Sequence, residues 1–151
     1  QKNLIMNLEF YATDSKIRGR YKHNVIKFFD VKKLSNEELI AVFIHELGHY
    51  FDIKHLEKEV IFDVSNDFYD ISWNDTKNLH SGSEKKDFVS GYAMSNKYED
   101  FAESYTYYVL YNDDFRAKAS LSKVLLKKYN FFSKYVFRND EFKKTSFIDF
   151  Q

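Results

Sequence analysis

The segment SNEELIAVFIHELGHYFDIK, residues 35–54, constrains the fold more than any other part of the chain. It opens with Ser35 and, three residues later, Glu38, the pattern of a capping box in which each side chain bonds the backbone N–H of the other residue. A stripe of apolar side chains at helical spacing follows. Its members are Ile40, Phe43, Ile44, Leu47 and Phe51. The sequence therefore predicts an amphipathic helix from residue 35 to about residue 54.

Strand-like segments precede this helix and helical segments follow it. Residues 1–33 contain LEFYAT and YKHNVIKFFDV, both rich in β-branched and aromatic residues, with Gly19 as an expected turn. Residues 56–137 show helical patterns, with two helices expected at about 99–111 and 113–128 and an aromatic tail that closes the core. No repeat or proline-rich linker divides the 151 residues. We therefore expect one α+β domain, with a small N-terminal sheet packed on the capped helix.

Charge and composition exclude several kinds of partner and chemistry. The 23 Lys and Arg residues equal the 23 Asp and Glu residues, so nothing indicates binding to nucleic acid or to an anionic membrane. The apolar run at 39–44 is far too short to span a bilayer. Without cysteine, the chain has no disulfide and no thiol nucleophile. No signal peptide is visible, although a first residue Gln1 leaves a trimmed or processed origin open.

Within the capped helix lies HELGH, in which His45 and His49 flank Glu46. Residues four apart in an α-helix lie about 40° apart around the axis and about 6 Å apart along it, so two imidazoles can bind one metal ion. Glu46 is turned about 100° from His45, which suits a base for water better than a metal ligand. These are the requirements of zinc hydrolysis: two nitrogen ligands, an open position for water and a carboxylate base.

Both histidines lie off the apolar stripe, which favours a metal site over the alternative of two buried core histidines. A third ligand is still required. One candidate, His55, follows His49 by six residues, the spacing of the metzincin pattern H-E-x-x-H-x-x-G-x-x-H, with Met94 as the candidate for the Met-turn. That pattern has glycine where this chain has Asp52, which adopts the required turn less readily.

A rival third ligand comes from GYAMSNKYEDFAES, residues 91–104. Glu99 and Glu103 lie one turn apart on one face of the helix expected there, so a carboxylate from a second helix can complete the histidine pair. The alternative is that Glu99, Asp100 and Glu103 only complement the dipole at the start of that helix. A zinc motif that lacks a third ligand favours the first interpretation.

Together the two motifs resemble the catalytic domain of the anthrax lethal factor family and the related bacterial Pro-Pro endopeptidases. The resemblance rests on HELGHYFD at 45–52 and on Y-x6-E-x-F-A-E at 92–103, and it covers roughly residues 35–110. It implies a zincin-like metalloprotease domain with Zn²⁺ as cofactor and a protein or peptide as substrate. Aspartate is usual in that family at the position of Asp52, which makes His55 incidental. The sheet region of this chain is shorter than in that family.

Carried over residue by residue, the resemblance implies a zinc endopeptidase of the gluzincin type. His45, His49 and Glu99 would be the zinc ligands, and Glu46 would be the general base. The hydroxyl of Tyr92 would stabilise the developing oxyanion.

The same resemblance implies that Glu103 and Asp52 do not bind the metal but hold its ligands in position. Glu103 would do so by keeping a ligand histidine in the required tautomer. We expect a monomer secreted by a bacterium, as toxins are, with a cytoplasmic location left open. The alternative class is a non-catalytic zinc-bearing module of a larger toxin or surface protein. An intact Glu46 and Tyr92 argue against that class, because a structural zinc site needs neither.

The strand-like segment 21–29 leaves two alternatives open. It lies either at the sheet edge, where an extended substrate can pair with it, or in the sheet interior. Similarly, Lys22, His23 and Trp73 are either specificity residues or ordinary surface and packing residues.

Overall fold

A three-stranded sheet forms the N-terminal part of the protein. The computed structural model describes residues 6–56, 64–137 and 142, with only the backbone of residues 55 and 56. The strands are β1 (Asn7–Phe10), β2 (Gly19–Lys22) and β3 (Val25–Phe28), in the order β1-β3-β2. Because β3 pairs in parallel with β1 and antiparallel with β2, it is the central strand, and β2 is an edge strand among the described residues.

A tight turn at His23 and Asn24 separates β2 from β3. Both residues have positive φ angles, 50° and 64°, as a two-residue type I′ hairpin requires. The prediction of a single strand at 21–29 is therefore wrong, since its first residues end the edge strand and residues 25–28 form the central one. His-Asn lacks the glycine that usually signals such a turn. The predicted turn at Gly19 is also wrong, because this residue begins β2.

The predicted capping box is present, and helix α1 spans Asn36–Phe51. Ser35 accepts a hydrogen bond from the Glu38 amide, and the Glu38 carboxylate accepts one from the Ser35 amide. The α-helix ends before the predicted residue 54 because the next turn, Asp52–Leu56, is π-helical. The capping residues therefore predicted the start of α1 correctly. Its end depends instead on a change from α-helical to π-helical hydrogen bonds, which the sequence pattern did not predict.

The sheet packs on α1 through aromatic side chains, as predicted. The ring of Phe28 in β3 lies 6.2 Å from that of Phe43, and Tyr21 in β2 meets Tyr50 edge to face with centroids 5.4 Å apart. Such aromatic pairs stabilise a contact by about 0.5–1.5 kcal/mol beyond the area they bury. The contacts fix the edge strand above the part of α1 that carries HELGH.

Four further α-helices follow in the described part of the chain. They are α2 (Val64–Tyr69), α3 (Lys97–Leu110), α4 (Asn112–Ala119) and α5 (Lys123–Phe131). The prediction of one helix over 113–128 is wrong, because Ser122 starts a new helix by accepting a hydrogen bond from the Leu125 amide. The helical prediction for 57–63 lies outside the described residues. Strands followed by helices make the fold α+β, as predicted.

Aromatic rings fill the core beneath α3. Phe68, Phe101 and Phe132 are fully buried, with centroid separations of 5.1 Å for Phe68–Phe101 and 5.0 Å for Phe101–Phe132. The aromatic tail was predicted to close this core, and its Phe131 and Phe137 are buried as well. Of the described helices, none has the length and apolar character needed to cross a membrane.

A fully buried ion pair lies beneath the first turns of α3. The Nζ atom of Lys128 lies 2.7 Å from Oδ2 of Asp100, and neither side chain has any exposure. Asp100 also accepts a hydrogen bond from the Trp73 indole at 2.9 Å, and Lys128 donates to the Asp87 carbonyl at 3.0 Å. Trp73 is thus a packing residue, 2 % exposed. The ion pair ties α5 and the loop before α3 to the helical turn that carries Glu99.

Candidate metal centre

Helices α1 and α3 approach each other closely at Gly48. A Cβ atom built at this glycine would lie 2.9 Å from the Cα atom of Ala102, shorter than a normal van der Waals contact. Only glycine therefore allows the two backbones to come so near. His45 and His49 lie on either side of Gly48 along α1, so the histidine-bearing face of α1 is pressed against α3.

Three potential ligand atoms converge beside this contact. Nε2 of His45 lies 3.0 Å from Oε2 of Glu99, and Nε2 of His49 lies 3.4 Å from the same oxygen. Donor atoms of the three residues all lie within 4.8 Å of one another. No other group of three His, Asp or Glu side chains within 6–54 and 64–137 meets that limit. The described residues therefore contain one place where a metal ion can gather three protein ligands.

The start of α3 holds Glu99 in position. The side-chain oxygen of Asn96 accepts hydrogen bonds from the amides of Tyr98 and Glu99, at 3.0 and 3.1 Å, and so caps the helix. Glu99 lies in the first turn, where the helix dipole also favours a carboxylate. The position of this carboxylate is thus fixed by local capping as well as by the packing of α3.

Glu103, one turn later on α3, orients the first histidine. Its Oε1 atom lies 3.0 Å from Nδ1 of His45, and Ser90 donates a hydrogen bond to its Oε2 atom at 2.5 Å. With Nδ1 engaged in this way, the ring of His45 presents Nε2 to Glu99. Carboxylates that hold the second nitrogen of a histidine are the usual support of metal-binding histidines.

The electrostatics of the cluster favour a cation. Burial lowers the pKa of His45, but its hydrogen bonds with Glu103 and Glu99 prevail and raise it to about 9. Burial raises the pKa of Glu99, but its hydrogen bonds with His45 and His49 prevail and lower it to about 2. Glu99 is thus an anion at neutral pH with a positive charge held beside it.

The donor set fits zinc. Two imidazole nitrogens and one carboxylate oxygen are the ligands of a common class of catalytic zinc sites, and three protein ligands leave a fourth position open. Binding of a metal displaces the proton that His45 carries here, because the ligand nitrogen must be deprotonated.

Glu46 lies beside this cluster and is held by the edge strand. Its Oε2 atom accepts a hydrogen bond from the backbone amide of Tyr21 at 2.5 Å, and the side chain is 5 % exposed. Burial raises the pKa of its carboxyl group above the ordinary value and outweighs the nearby His49 and His45, which act in the opposite direction. A Cβ atom at Gly19 would lie 2.6 Å from the other carboxylate oxygen, so the glycine makes room for Glu46.

Tyr92 lines the same cleft and lies in a 3-10 turn that spans Tyr92–Met94. Its ring centroid is 6.0 Å from that of His45, and the residue is 54 % exposed. Burial of the hydroxyl and the charge of Glu99 raise the pKa of Tyr92, so the hydroxyl stays protonated at neutral pH. It can therefore donate a hydrogen bond into the cleft.

The cleft above these residues has a volume of about 730 Å³. Its floor carries His45, Glu46, His49 and Glu99, and its walls come from the segment 16–21 and from tyrosines of the helical part. A space of this size accommodates a small molecule or several residues of a peptide.

A family model described as "Putative zinc-binding metallo-peptidase" matches residues 7–136, most of the chain. The chain belongs to this metallopeptidase family. Zinc, predicted from HELGH, is the metal that the family description names. Neither the curated proteins nor the solved structures include a significant match to the chain.

Three further residues that the sequence suggested for the site, Asp52, His55 and Met94, are not among the clustered ligand atoms that the structure describes. Asp52 is buried at the end of α1, where it accepts hydrogen bonds from Ser65 and Tyr69 of α2. These bonds tie α2 to the end of α1, just beyond the second histidine. The side chain of His55 lies outside the described residues. Met94, the Met-turn candidate, is half-buried and packs against the aromatic core.

Sequence reasoning missed four contributors to this candidate metal centre. They are Gly19, Gly48, Ser90 and Asn96. Asn96 had a local signal, since an asparagine followed three residues later by a glutamate is a typical start of a helix. The two glycines had no local signal, because the side chains and backbone that leave no room for a Cβ atom there belong to residues distant in the sequence.

Replacing Gly48 by alanine tests the close approach of α1 and α3. Alanine gains about 1 kcal/mol of helix propensity, but a side chain pressed against backbone costs about 1–3 kcal/mol. We expect a net loss of up to about 2 kcal/mol in the free energy of unfolding, because the Ala102 backbone cannot rotate away from the added methyl group. Urea denaturation followed by fluorescence of the buried Trp73 measures it.

Gly91→Ala is the matched control, because a Cβ atom there meets nothing within 4 Å. We expect this variant to be as stable as the wild type or up to about 1 kcal/mol more stable. A Gly48→Ala protein more stable than the wild type would show that the helices are not in close contact.

Proposed function

We propose that the protein is a zinc-dependent endopeptidase of the gluzincin type, with a zincin-like fold akin to the anthrax lethal factor catalytic domain and the Pro-Pro endopeptidases. The observation that carries this proposal is the convergence of His45, His49 and Glu99 from two helices. Membership in a zinc-binding metallopeptidase family supports the metal and the reaction class. The cleft above the cluster supports a peptide as substrate.

His45, His49 and Glu99 would hold the zinc ion. When bound, zinc supplies Lewis acidity that lowers the pKa of water and polarises a peptide carbonyl. Glu103 keeps the imidazole of His45 in the tautomer with Nε2 free for the metal, and Ser90 keeps Glu103 in place.

Glu46 acts as the general base and then as the general acid. Its carboxylate accepts a proton from water as the water attacks the carbonyl carbon, and it delivers that proton to the leaving amine nitrogen. Burial raises the pKa of Glu46, which makes it a stronger base than an exposed glutamate. The hydrogen bond from the Tyr21 amide holds this carboxylate in place.

Tyr92 donates a hydrogen bond to the carbonyl oxygen as negative charge develops on it. The protonated hydroxyl at the cleft wall supports this role, because stabilisation of an oxyanion requires a donor. Its partial exposure allows the ring to move towards a bound substrate.

Zinc content of the Glu99→Ala variant tests the ligand set. We expect a loss of zinc affinity greater than the about 10–100-fold that removal of a supporting partner costs, because a whole ligand is removed. The measurement is the zinc-to-protein ratio by elemental analysis after dialysis against a competing chelator. The matched control is His55→Ala, which should retain its zinc.

The reverse result, zinc retained in Glu99→Ala and lost in His55→Ala, would replace this ligand set by a metzincin-type set with His55. Zinc bound as predicted, but without hydrolysis of any peptide by the wild-type protein, would instead identify a non-catalytic zinc-bearing module.

A further inference from the structure

Basic side chains occupy every second position of the edge strand and the residues before it. Residues 16–22 alternate between exposed and half-buried, as an extended segment does when one face is solvated. All four exposed positions are cationic. They are Lys16, Arg18, Arg20 and Lys22. The intervening Ile17, Gly19 and Tyr21 are half-buried, and the last two contact Glu46 of α1.

Most of this charge is not neutralised by the residues that the structure describes. Arg18 pairs with Asp30 at 3.1 Å, although its side chain remains half exposed. Lys16, Arg20 and Lys22 have no ion pair in the part of the chain that the structure describes. The cross-strand neighbour of Arg20 is Lys27, itself a cation paired with Glu9. An otherwise neutral protein thus carries a concentrated positive charge along one edge.

This basic edge is continuous with the proposed active site. Lys16, Arg18 and Arg20 line the same cleft as His45 and Glu99. The acidic residues of the cleft, Glu46, Glu99 and Glu103, are buried or half-buried at the metal centre, where they bond a backbone amide or histidines. The basic side chains of the edge are exposed to solvent instead. An anionic group on a bound peptide would therefore meet the exposed cations of Lys16 and Arg20, which have no ion pair among the described residues, beside the metal centre.

We propose that the basic edge, Lys16, Arg18, Arg20 and Lys22, selects peptide substrates that carry acidic side chains next to the scissile bond. The proposal rests on the proposed endopeptidase function and names its substrate class. A peptide fits the basic edge better than nucleic acid does, because the cations form one row along a strand that leads into the hydrolytic cleft.

Cleavage assays with the zinc-loaded protein test the preference. A proteome-derived peptide library first identifies cleaved sequences, and the best peptide is then compared with a copy in which Asp and Glu are replaced by Asn and Gln. We expect the acidic peptide to have a higher kcat/KM by about two- to fivefold for each acidic residue engaged. The advantage should shrink as salt is raised, because exposed charges are screened.

Two double variants separate the basic edge from bulk charge. In Lys16→Gln/Arg20→Gln the acidic and amide peptides should be cleaved at nearly equal kcat/KM. In Lys123→Gln/Lys127→Gln, which removes the same charge from the exposed face of α5, the preference should remain. Arg20→Glu should shift the preference towards a peptide with Lys in place of its acidic residues, an effect that a merely structural role of Arg20 would not produce.

Peptide binding provides a readout that does not require cleavage. Zinc-loaded Glu46→Gln protein is titrated into a fluorescein-labelled peptide of alternating glutamate and serine, and into its glutamine counterpart, with anisotropy as the signal. Tighter binding of the glutamate peptide, lost in a Lys16→Gln/Arg20→Gln background, supports the proposal.

Equal binding of the two peptides, or a preference that survives in Lys16→Gln/Arg20→Gln, overturns the proposal about the basic edge. In that case, cleavage of any peptide by the wild-type protein would still support the endopeptidase function. Stronger binding of an oligothymidylate than of the acidic peptide also overturns it and makes nucleic acid the partner. Absence of all cleavage by the zinc-loaded wild type overturns the endopeptidase function instead.

Discussion

Glu46→Gln should retain its zinc and lose peptidase activity by about 10²–10⁴-fold in kcat, the usual contribution of a positioned general base. Glutamine has nearly the same shape as glutamate and keeps an oxygen that can accept the hydrogen bond of the Tyr21 amide. It cannot accept a proton from water, because an amide is not a base at neutral pH. The change therefore removes the proton transfer while it leaves the fold and the ligands in place.

The measurement combines kcat and KM on the best-cleaved peptide with the zinc-to-protein ratio. Glu37→Gln is the matched control, since this exposed glutamate lies on the same helix, in its first turn. We expect that control to keep both activity and zinc. Wild-type turnover in Glu46→Gln would end the assignment of Glu46 as the base, and loss of zinc would mean that it supports the metal instead.

Lys128→Met should lower the free energy of unfolding by about 3–5 kcal/mol, because it leaves the buried carboxylate of Asp100 without its counter-charge. The Trp73 indole and the Ser104 hydroxyl remain as hydrogen-bond donors to Asp100, but neither carries a positive charge. Methionine fills most of the volume of the lysine stem, so the loss reflects charge more than packing. Urea denaturation at neutral pH measures the effect.

The dependence on pH identifies the cause. Burial raises the pKa of Asp100 above its ordinary value of 3.8, and removal of Lys128 raises it further. A group with a raised pKa in the folded state destabilises that state most at neutral pH, and the penalty disappears as pH falls to the pKa of the unfolded chain. The deficit of Lys128→Met should therefore shrink on acidification towards pH 3.8.

Two further proteins complete this test. Lys127→Met changes an exposed neighbour on the same helix and should alter stability by no more than about 0.5 kcal/mol. Lys128→Met/Asp100→Asn removes both charges and should recover part of the loss, since breaking a buried pair costs more than replacing it. A Lys128→Met protein as stable as the wild type would show that this ion pair does not hold α5 to α3.

Several parts of the fold follow from residues that are close in sequence. The capping box at Ser35 and Glu38 and the apolar stripe after it define where α1 begins and which face it buries. That strands come first and helices follow was predicted correctly for the same reason, because periodicity and capping depend on neighbours within a turn or two. The turn at His23 and Asn24 was not predicted in this way, because neither residue is the glycine that usually marks a turn with positive φ angles.

The sequence by itself determined that one helix carries His45, Glu46 and His49 in the pattern of a zinc hydrolase, and it left Glu99 and His55 as rival third ligands. Only the tertiary structure decided that Glu99 lies 3.0 Å from His45, a contact between residues 54 positions apart. It also decided that the edge strand, through Tyr21, holds Glu46. Such contacts depend on how helices and strands pack, at glycines and buried charges whose partners are distant in the chain, and no local period encodes that packing.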